Sequence, residues 1–400
     1  MGIYERLVVR TRINAAGLLT RLGGSLMPPE VVQAMVEASQ HFVDIAELQA
    51  RASETIVRCT GADAGLVTSG AAAALTLGTA ACLTGLDAAR MDRLPDTADF
   101  PNEVLMARTH RTAYDHAIRA AGVRIVDVGL NDRGTGAGVR GVEAWEWEAA
   151  ISPRTAAIAY TAGPDADPPL TEVVAVAAMH NIPVLVDAAA QLPPADNLRR
   201  FITEGASLVA FSGGKALRGP QASGILCGRK DLIAAAALQQ LDMDVEPATW
   251  APPSPFIPRE RVKGVPHHGL GRGLKVGKEE ITGLVAALER YVALDHAAEL
   301  KALNAQVEHI AEQLKGLPHV AVSLRAQRAD GRPYLLDICL DEAALGKSAA
   351  DVSSALQQHE PPINLHEGRM RESILTVNPV GLKPGEEKIV ADALRSELAR

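Results

Sequence analysis

The chain has 400 residues, 47% apolar and 22% charged, which excludes disorder for most of it and, at about 150 residues per domain, leaves room for two to three domains. Forty Lys and Arg against 48 Asp and Glu give a formal charge of −8, so no cationic surplus exists to neutralise phosphates and nucleic acid is not the expected partner. Charges in MGIYERLVVRTRIN leave no signal-peptide core, and no apolar run approaches the ~20 residues of a spanning helix.

Residues 1–27, including TRINAAGLLTRLGGSLMPP, have Gly and Pro punctuation without a lasting period and are expected to form an arm. Helical spacing follows from Glu30 to Phe42 and from Leu48 to Cys59. An alternation then sets the fold class. GLVTSG reads as a strand and turn before a small-residue helix from Ala71 to Leu83. VLMA, RIVDVG, TAAIAY, IPVLVDA, SLVAFSGG and SGILCGR read as strands, and YDHAIRAAG, VEAWEWEAA, LTEVVAVAAMHN and NLRRFITEG as helices between them. Short β-rich runs alternating with helices of about ten residues indicate an α/β fold with a mostly parallel, helix-covered sheet. A Pro/Gly/basic loop occupies about Pro247 to Gly277, and a long helix is expected over 278–315. HVAVSLRA, YLLDICL, a helix from Val352 to His359, PPINLH, SILTVN and a last helix from Glu386 make a small α+β unit. The expected division is an arm at 1–27, a large domain at 28–277, a linking helix at 278–315 and a small domain at 316–400.

Cys59, Cys82, Cys227 and Cys339 are scattered without a CxxC pair, so reduced thiols in a cytoplasmic protein are expected rather than a disulfide framework or metal cluster. The segment FSGGKALRGPQASGILCG puts Lys215 on a Gly-rich turn after a buried strand, at the sheet edge where α/β ligands bind. Desolvation there turns an amine into a nucleophile, although a lone turn lysine is as readily solvated. Asp187 in VLVDAAAQ follows a continuous apolar strand, where a carboxylate is costly unless paired. An acid one helix before such a lysine suits pyridoxal phosphate: the lysine carries the cofactor as a Schiff base and the acid keeps the pyridine nitrogen protonated. In VTSGAAAA, Ser69, Gly70 and Ala71 open a helix whose free N–H groups and dipole can hold a phosphate.

This order of phosphate turn, strand-end Asp and turn Lys resembles fold-type-I pyridoxal-phosphate enzymes. INAAG at 13–17 and FSGGKALRGPQASGIL at 211–226 resemble the selenocysteine synthase-like group, which includes L-seryl-tRNA(Sec) selenium transferases and D-glucosaminate-6-phosphate ammonia-lyases. The resemblance implies a large domain with a mostly parallel seven-stranded sheet and a small C-terminal α+β domain. It implies that Lys215 holds pyridoxal phosphate and Asp187 its ring nitrogen. Ala189 would pack under the ring, Gln191 would reach its phenolic oxygen, Ser212 would add a hydroxyl at the phosphate, and His110 in ARTHRTAYDHA would stack on the ring. Only about a dozen residues precede Ile13, which with the acidic charge argues against tRNA as substrate.

Arginine forks match carboxylates and phosphates. Arg369 and Arg371 lie in the small domain, where many fold-type-I enzymes bind the substrate carboxylate, and Arg272 and Lys275 follow the irregular loop. His267 and His268 in that loop are candidates for a gate or proton shuttle, and without nearby carboxylates in sequence they are not expected to bind metal. The expected activity is Cα-proton removal from a small polar amino acid, with Lys215 as base and His110 as possible acid, followed by α,β-elimination to a 2-oxo acid and ammonia. Racemisation or β-replacement is the alternative; a seryl-tRNA selenium transferase and a cofactorless binding protein are the rivals. A homodimer or larger assembly of this chain is expected, with the arm and the loop at 247–277 reaching a partner's site.

Overall fold

The structure, a computed structural model, describes residues 2–133, 135–138 and 140–399. It falls into two compact units, Met27–Ala293 and Met1–Leu26 with Leu294–Arg400.

Strand β1 (Ile13–Ala15) belongs to the second unit. The first unit contains β2 (Ala64–Thr68), β3 (Glu103–Ala107), β4 (Arg124–Val128), β5 (Thr155–Thr161), β6 (Val184–Asp187), β7 (Leu208–Ser212) and β8 (Gly224–Gly228). They form one sheet in the order β2-β8-β7-β6-β5-β3-β4, with β8 antiparallel to both neighbours and the other pairs parallel. Side chains alternate across a strand, so along β7 Leu208 and Ala210 pack with Leu66, Leu75, Leu185 and Leu226. Val209 and Phe211 pack on the other face with Ile56, Val186, Phe201 and Leu284. Both faces are covered, which is why these strands read as unbroken apolar runs.

β2 lies at the edge of the sheet, and helix Ile45–Thr60 closes its free side. Gln49 accepts the Val67 N–H at 3.0 Å and donates to the Val67 carbonyl at 2.8 Å, while Ser53 Oγ accepts the Gly65 N–H at 2.8 Å. Side chains thus replace the missing strand neighbour, and the edge is not left open for pairing. Gly224 sits between Thr68 and Ser212 in register. A Cβ there would lie 2.6 Å from the Gly70 carbonyl carbon and 2.7 Å from the Ala71 nitrogen, so only glycine lets the turn after β2 fold against β8.

Helix Lys230–Gln240 has no counterpart in the sequence reading. Its residues from Leu232 to Gln240 are all buried, so it has no polar face and no amphipathic period to read. The loop at 247–277 is well packed: Ile257 is fully buried, Phe256 and Val262 nearly so, and Arg259 lies 4.7 Å over the Trp250 ring.

The second unit contains β9 (Val320–Arg325), β10 (Leu335–Leu340), β11 (Ile363–Leu365) and β12 (Ile374–Val377). An antiparallel sheet runs β12-β10-β9, and β1 pairs in parallel with β11, Ile13 opposite Ile363. Part of the segment expected as an arm reaching a partner belongs to this unit's core, because Ile13 and Ala15 are buried among Leu356, Ile363 and Leu365. The single helix expected over 278–315 is two, Lys278–Ala293 and His296–Leu314. Asp295 opens the second by accepting the Ala298 N–H at 2.9 Å.

Candidate active site

β2 through β7 all point their carboxyl ends to one edge of the sheet. There the structure gathers Ser69, Gly70, His110, Asp187, Ala189, Ser212 and Lys215. Asp187 on β6 and the turn after β2 are three strand spacings apart, about 14 Å, and the Lys215 turn follows β7 between them.

At one end, Gly70, with φ +106°, precedes helix Ala71–Thr84, and among the described residues no side chain caps the helix start. A Cβ on Gly70 would meet nothing within 4 Å, so the space before the turn is open. The Thr68 hydroxyl donates to the Gly70 carbonyl at 2.9 Å and Ser69 donates to the Leu274 carbonyl at 2.9 Å. A helix start whose donors no described side chain caps, with a hydroxyl beside it, has the chemistry to hold a phosphate. Ser212, partly exposed at the end of β7, lies in register with Thr68 across Gly224.

In the middle, Lys215 occupies a turn held by the Gly213 N–H on the Ser223 carbonyl at 2.8 Å and the Gly219 N–H on the Gly213 carbonyl at 2.9 Å. Burial pulls the Lys215 ammonium below its ordinary range, with the Asp187 charge opposing. Burial pushes the Asp187 carboxyl up, opposed by the Ala189 N–H and by Lys215. The Ala189 N–H donates to Asp187 Oδ1 at 3.0 Å, so Ala189 orients the acid through its backbone. The Gln191 amide donates to the Ala162 carbonyl at 2.7 Å.

His110 is buried and packs edge-on against Tyr160 with ring centroids 4.6 Å apart. Its backbone carbonyl accepts from Thr161 Oγ1 at 2.9 Å, and Thr161 is in register with Asp187. Thr161 thus ties the His110 turn to the strand beside the acid. Sequence reasoning missed it, although its strand-end position is the signal that marked Asp187. Thr112, Tyr114 and Asp115 line a narrow cleft together with Asp187, Thr161 and Leu75.

Two of the three arginines expected to clamp substrate, Arg272 and Arg369, already hold carboxylates. Arg272 pairs with Asp242 at 2.6 Å. In the other unit, Arg369 bonds Asp337 at 2.7 Å and Glu372 at 2.6 Å, and Asp337 is also held by Arg325 and Thr376. Lys275 and Arg371 are exposed and form no ion pair among the described residues. His267 is exposed. His268 does have carboxylate neighbours, contrary to the sequence reading: its Nε2 is 3.2 Å from Asp244 Oδ1, and Asp242 joins the cluster within 4.8 Å. The loop folds back on the end of helix Lys230–Gln240, a contact that sequence spacing does not show.

The residues present suit pyridoxal phosphate. A helix start without a side-chain cap among the described residues could take its phosphate, the Asp187 carboxylate could face its ring nitrogen, the desolvated Lys215 amine lies between them in strand order, and the buried His110 ring borders the site. Burial also bears on the charge of the His110 ring. Burial lowers the His110 pKa to about 4, with Asp167 opposing, so the imidazole is neutral at pH 7. In 15N-histidine-labelled protein assigned with His110→Gln, the His110 resonances should titrate near pH 4; titration near pH 6.5 would show a ring exposed to water.

A family profile described as SelA: L-seryl-tRNA selenium transferase matches residues 113–245. A D-glucosaminate-6-phosphate ammonia lyase of Salmonella typhimurium is 31% identical over 402 residues, covering 98% of this chain and 97% of the relative. A 5'-C-glycyluridine monooxygenase-decarboxylase of a Streptomyces species is 31% identical over 399 residues, covering 97% and 90%. A solved D-glucosaminate-6-phosphate ammonia-lyase superposes with a TM-score of 0.81 at 30% identity, covering 100% of this chain and 98% of that one. With this agreement in sequence and fold over its whole length, the chain belongs to the selenocysteine synthase-like family of fold-type-I pyridoxal-phosphate enzymes and is an enzyme of the lyase type.

Proposed function

We propose that this chain binds pyridoxal phosphate at the sheet edge and catalyses α,β-elimination on a small polar amino acid with a leaving group at Cβ. The observation that carries this reading is the shared desolvation of Lys215 and Asp187 at the ends of adjacent strands, each feeling the other's charge. Lys215 would hold the cofactor's aldehyde carbon, Asp187 its ring nitrogen, and Ser69, Gly70 and Ala71 its phosphate, with Ser212 beside them. When bound, the cofactor supplies an electron sink for the charge left at Cα.

The protein's own groups supply the rest. Lys215, its pKa lowered by burial, takes the Cα proton as general base. A hydroxyl leaves from Cβ with a proton, and water then releases the nitrogen as ammonia, so a 2-amino-3-hydroxy acid becomes a 2-oxo acid. His110, neutral at pH 7, fits ring stacking and not the role of acid. Arg369, Arg371, Arg272 and Lys275 are the proposed anion ligands. For Arg369 the bonds to Asp337 and Glu372 fix the guanidinium and leave other N–H donors for a substrate carboxylate. A phosphorylated amino sugar acid, the substrate class in the name of the Salmonella relative, is the first compound to try.

The Streptomyces relative supports a second reading, oxygen-dependent decarboxylation on the same frame. The two differ in stoichiometry. Elimination should release ammonia and 2-oxo acid in equal amounts, at the same rate with and without oxygen. Carbon dioxide release that stops under nitrogen would replace it with the second reading.

We further propose a cytoplasmic homodimer or larger assembly. Val32, Val36, Phe42 and Val43 form an exposed apolar run, with Phe42 fully exposed, and a surface of that kind marks an interface. The loop at 247–277 would then bring Arg272 to a partner's site. Inactive Lys215→Ala and Arg272→Ala subunits, mixed and exchanged, should recover activity. A dead mixture of exchanged dimers would mean that each site is self-contained.

A further inference from the structure

A buried chain of amides runs from the edge strand to the phosphate turn. Gln49 is fully buried on helix Ile45–Thr60, and Gln240, 4% exposed, ends helix Lys230–Gln240. The orientation of the Gln49 amide is fixed by the backbone, because its oxygen accepts the Val67 N–H and its nitrogen donates to the Val67 carbonyl. That same nitrogen donates to Gln240 Oε1 at 3.3 Å. With its oxygen so engaged, Gln240 presents Nε2 to the Leu274 carbonyl at 3.3 Å. Leu274 therefore has two donors, Gln240 Nε2 and the Ser69 hydroxyl. Next to it, the Leu270 N–H donates to Gln239 Oε1 at 3.0 Å, so the end of one helix holds both ends of the turn Leu270–Leu274.

The two donors are not equivalent. The glutamine amide is locked by its partners, whereas a serine hydroxyl rotates to suit. We propose that Gln240, oriented by Gln49, is a positioning residue for phosphate binding: it keeps the Leu274 carbonyl bonded, so that Ser69 is free to turn its hydroxyl to a phosphoryl group at the start of helix Ala71–Thr84. Without Gln240, the same rotation would strip a partly buried carbonyl of its last donor, a loss that opposes binding. The inference rests on the assignment of Ser69 to the cofactor phosphate.

Equilibrium titration of cofactor-free protein with pyridoxal phosphate and with pyridoxal, read by absorbance, separates the possibilities. Gln240→Met, which keeps the length and loses the donor, should weaken pyridoxal phosphate about tenfold and leave pyridoxal unchanged. Ser69→Ala should show a similar selective loss, and adding Gln240→Met to it should cost nothing more, since no hydroxyl remains to be freed. Should Gln240→Met not fold, Gln240→Glu carries the same test. Equal weakening of both compounds, or additive losses in the double variant, would overturn the proposal and leave Gln240 a packing residue. If the unaltered protein binds pyridoxal as tightly as pyridoxal phosphate, the phosphate assignment itself falls, and this inference with it.

Discussion

An amine and a carboxylate are held at or just past the ends of two neighbouring strands, largely out of water and near enough to feel each other's charge. Burial works against the charge of each, and their mutual attraction offsets part of it. The architecture around them keeps this arrangement in place. Parallel strands deliver Asp187 and the Lys215 turn to one edge. The antiparallel strand β8 lets the chain return so that Thr68 and Ser212 flank Gly224 in one row. Helices on both faces keep the row dry at its base. Such a pair at a sheet edge is suited to a ligand that carries a ring nitrogen for the acid and a carbonyl for the amine.

The second organising feature is how the edge strand is treated. β2 has a strand neighbour on one side only, yet it carries the turn at Ser69 and Gly70. Gln49 and Ser53 supply the missing ladder bonds from a helix, and Gln240 extends that polar chain to the turn before Lys275. The cup is therefore fixed by groups outside it. Buried polar chains of this kind are fully satisfied or costly, which ties the position of Ser69 to residues distant in sequence.

Most strands of the large unit were legible because coverage on both faces makes them apolar runs, while the edge strand β4 keeps exposed Arg124 and Asp127; Asp187 stood out by ending such a run. Lys215 was legible from the glycines around it. What was not legible depended on contacts without a local pattern. Helix Lys230–Gln240 is buried from Leu232 onward and has no period, so the two glutamines that bond the turn Leu270–Leu274 went unseen. The pairing of β1 with β11 joins residues about 350 positions apart, and punctuation in the N-terminal segment read as an arm. Asp295 breaks what periodicity alone presents as one helix. The carboxylate partners of Arg272 and Arg369 were not legible, because Asp242, Asp337 and, for the geometry of its contact, Glu372 come to them through folding.

The account stands or falls on Lys215 as the residue that carries the cofactor, since the roles of Asp187, Ser69 and His110 follow from where that amine places the ring. Borohydride reduction of the purified protein, followed by proteolysis and mass spectrometry, identifies the lysine directly. The account predicts the reduced cofactor on the peptide containing SGGKALR, at Lys215 and at one equivalent per chain. Cofactor fixed to any other lysine, or a protein that carries none after incubation with excess pyridoxal phosphate, would contradict it.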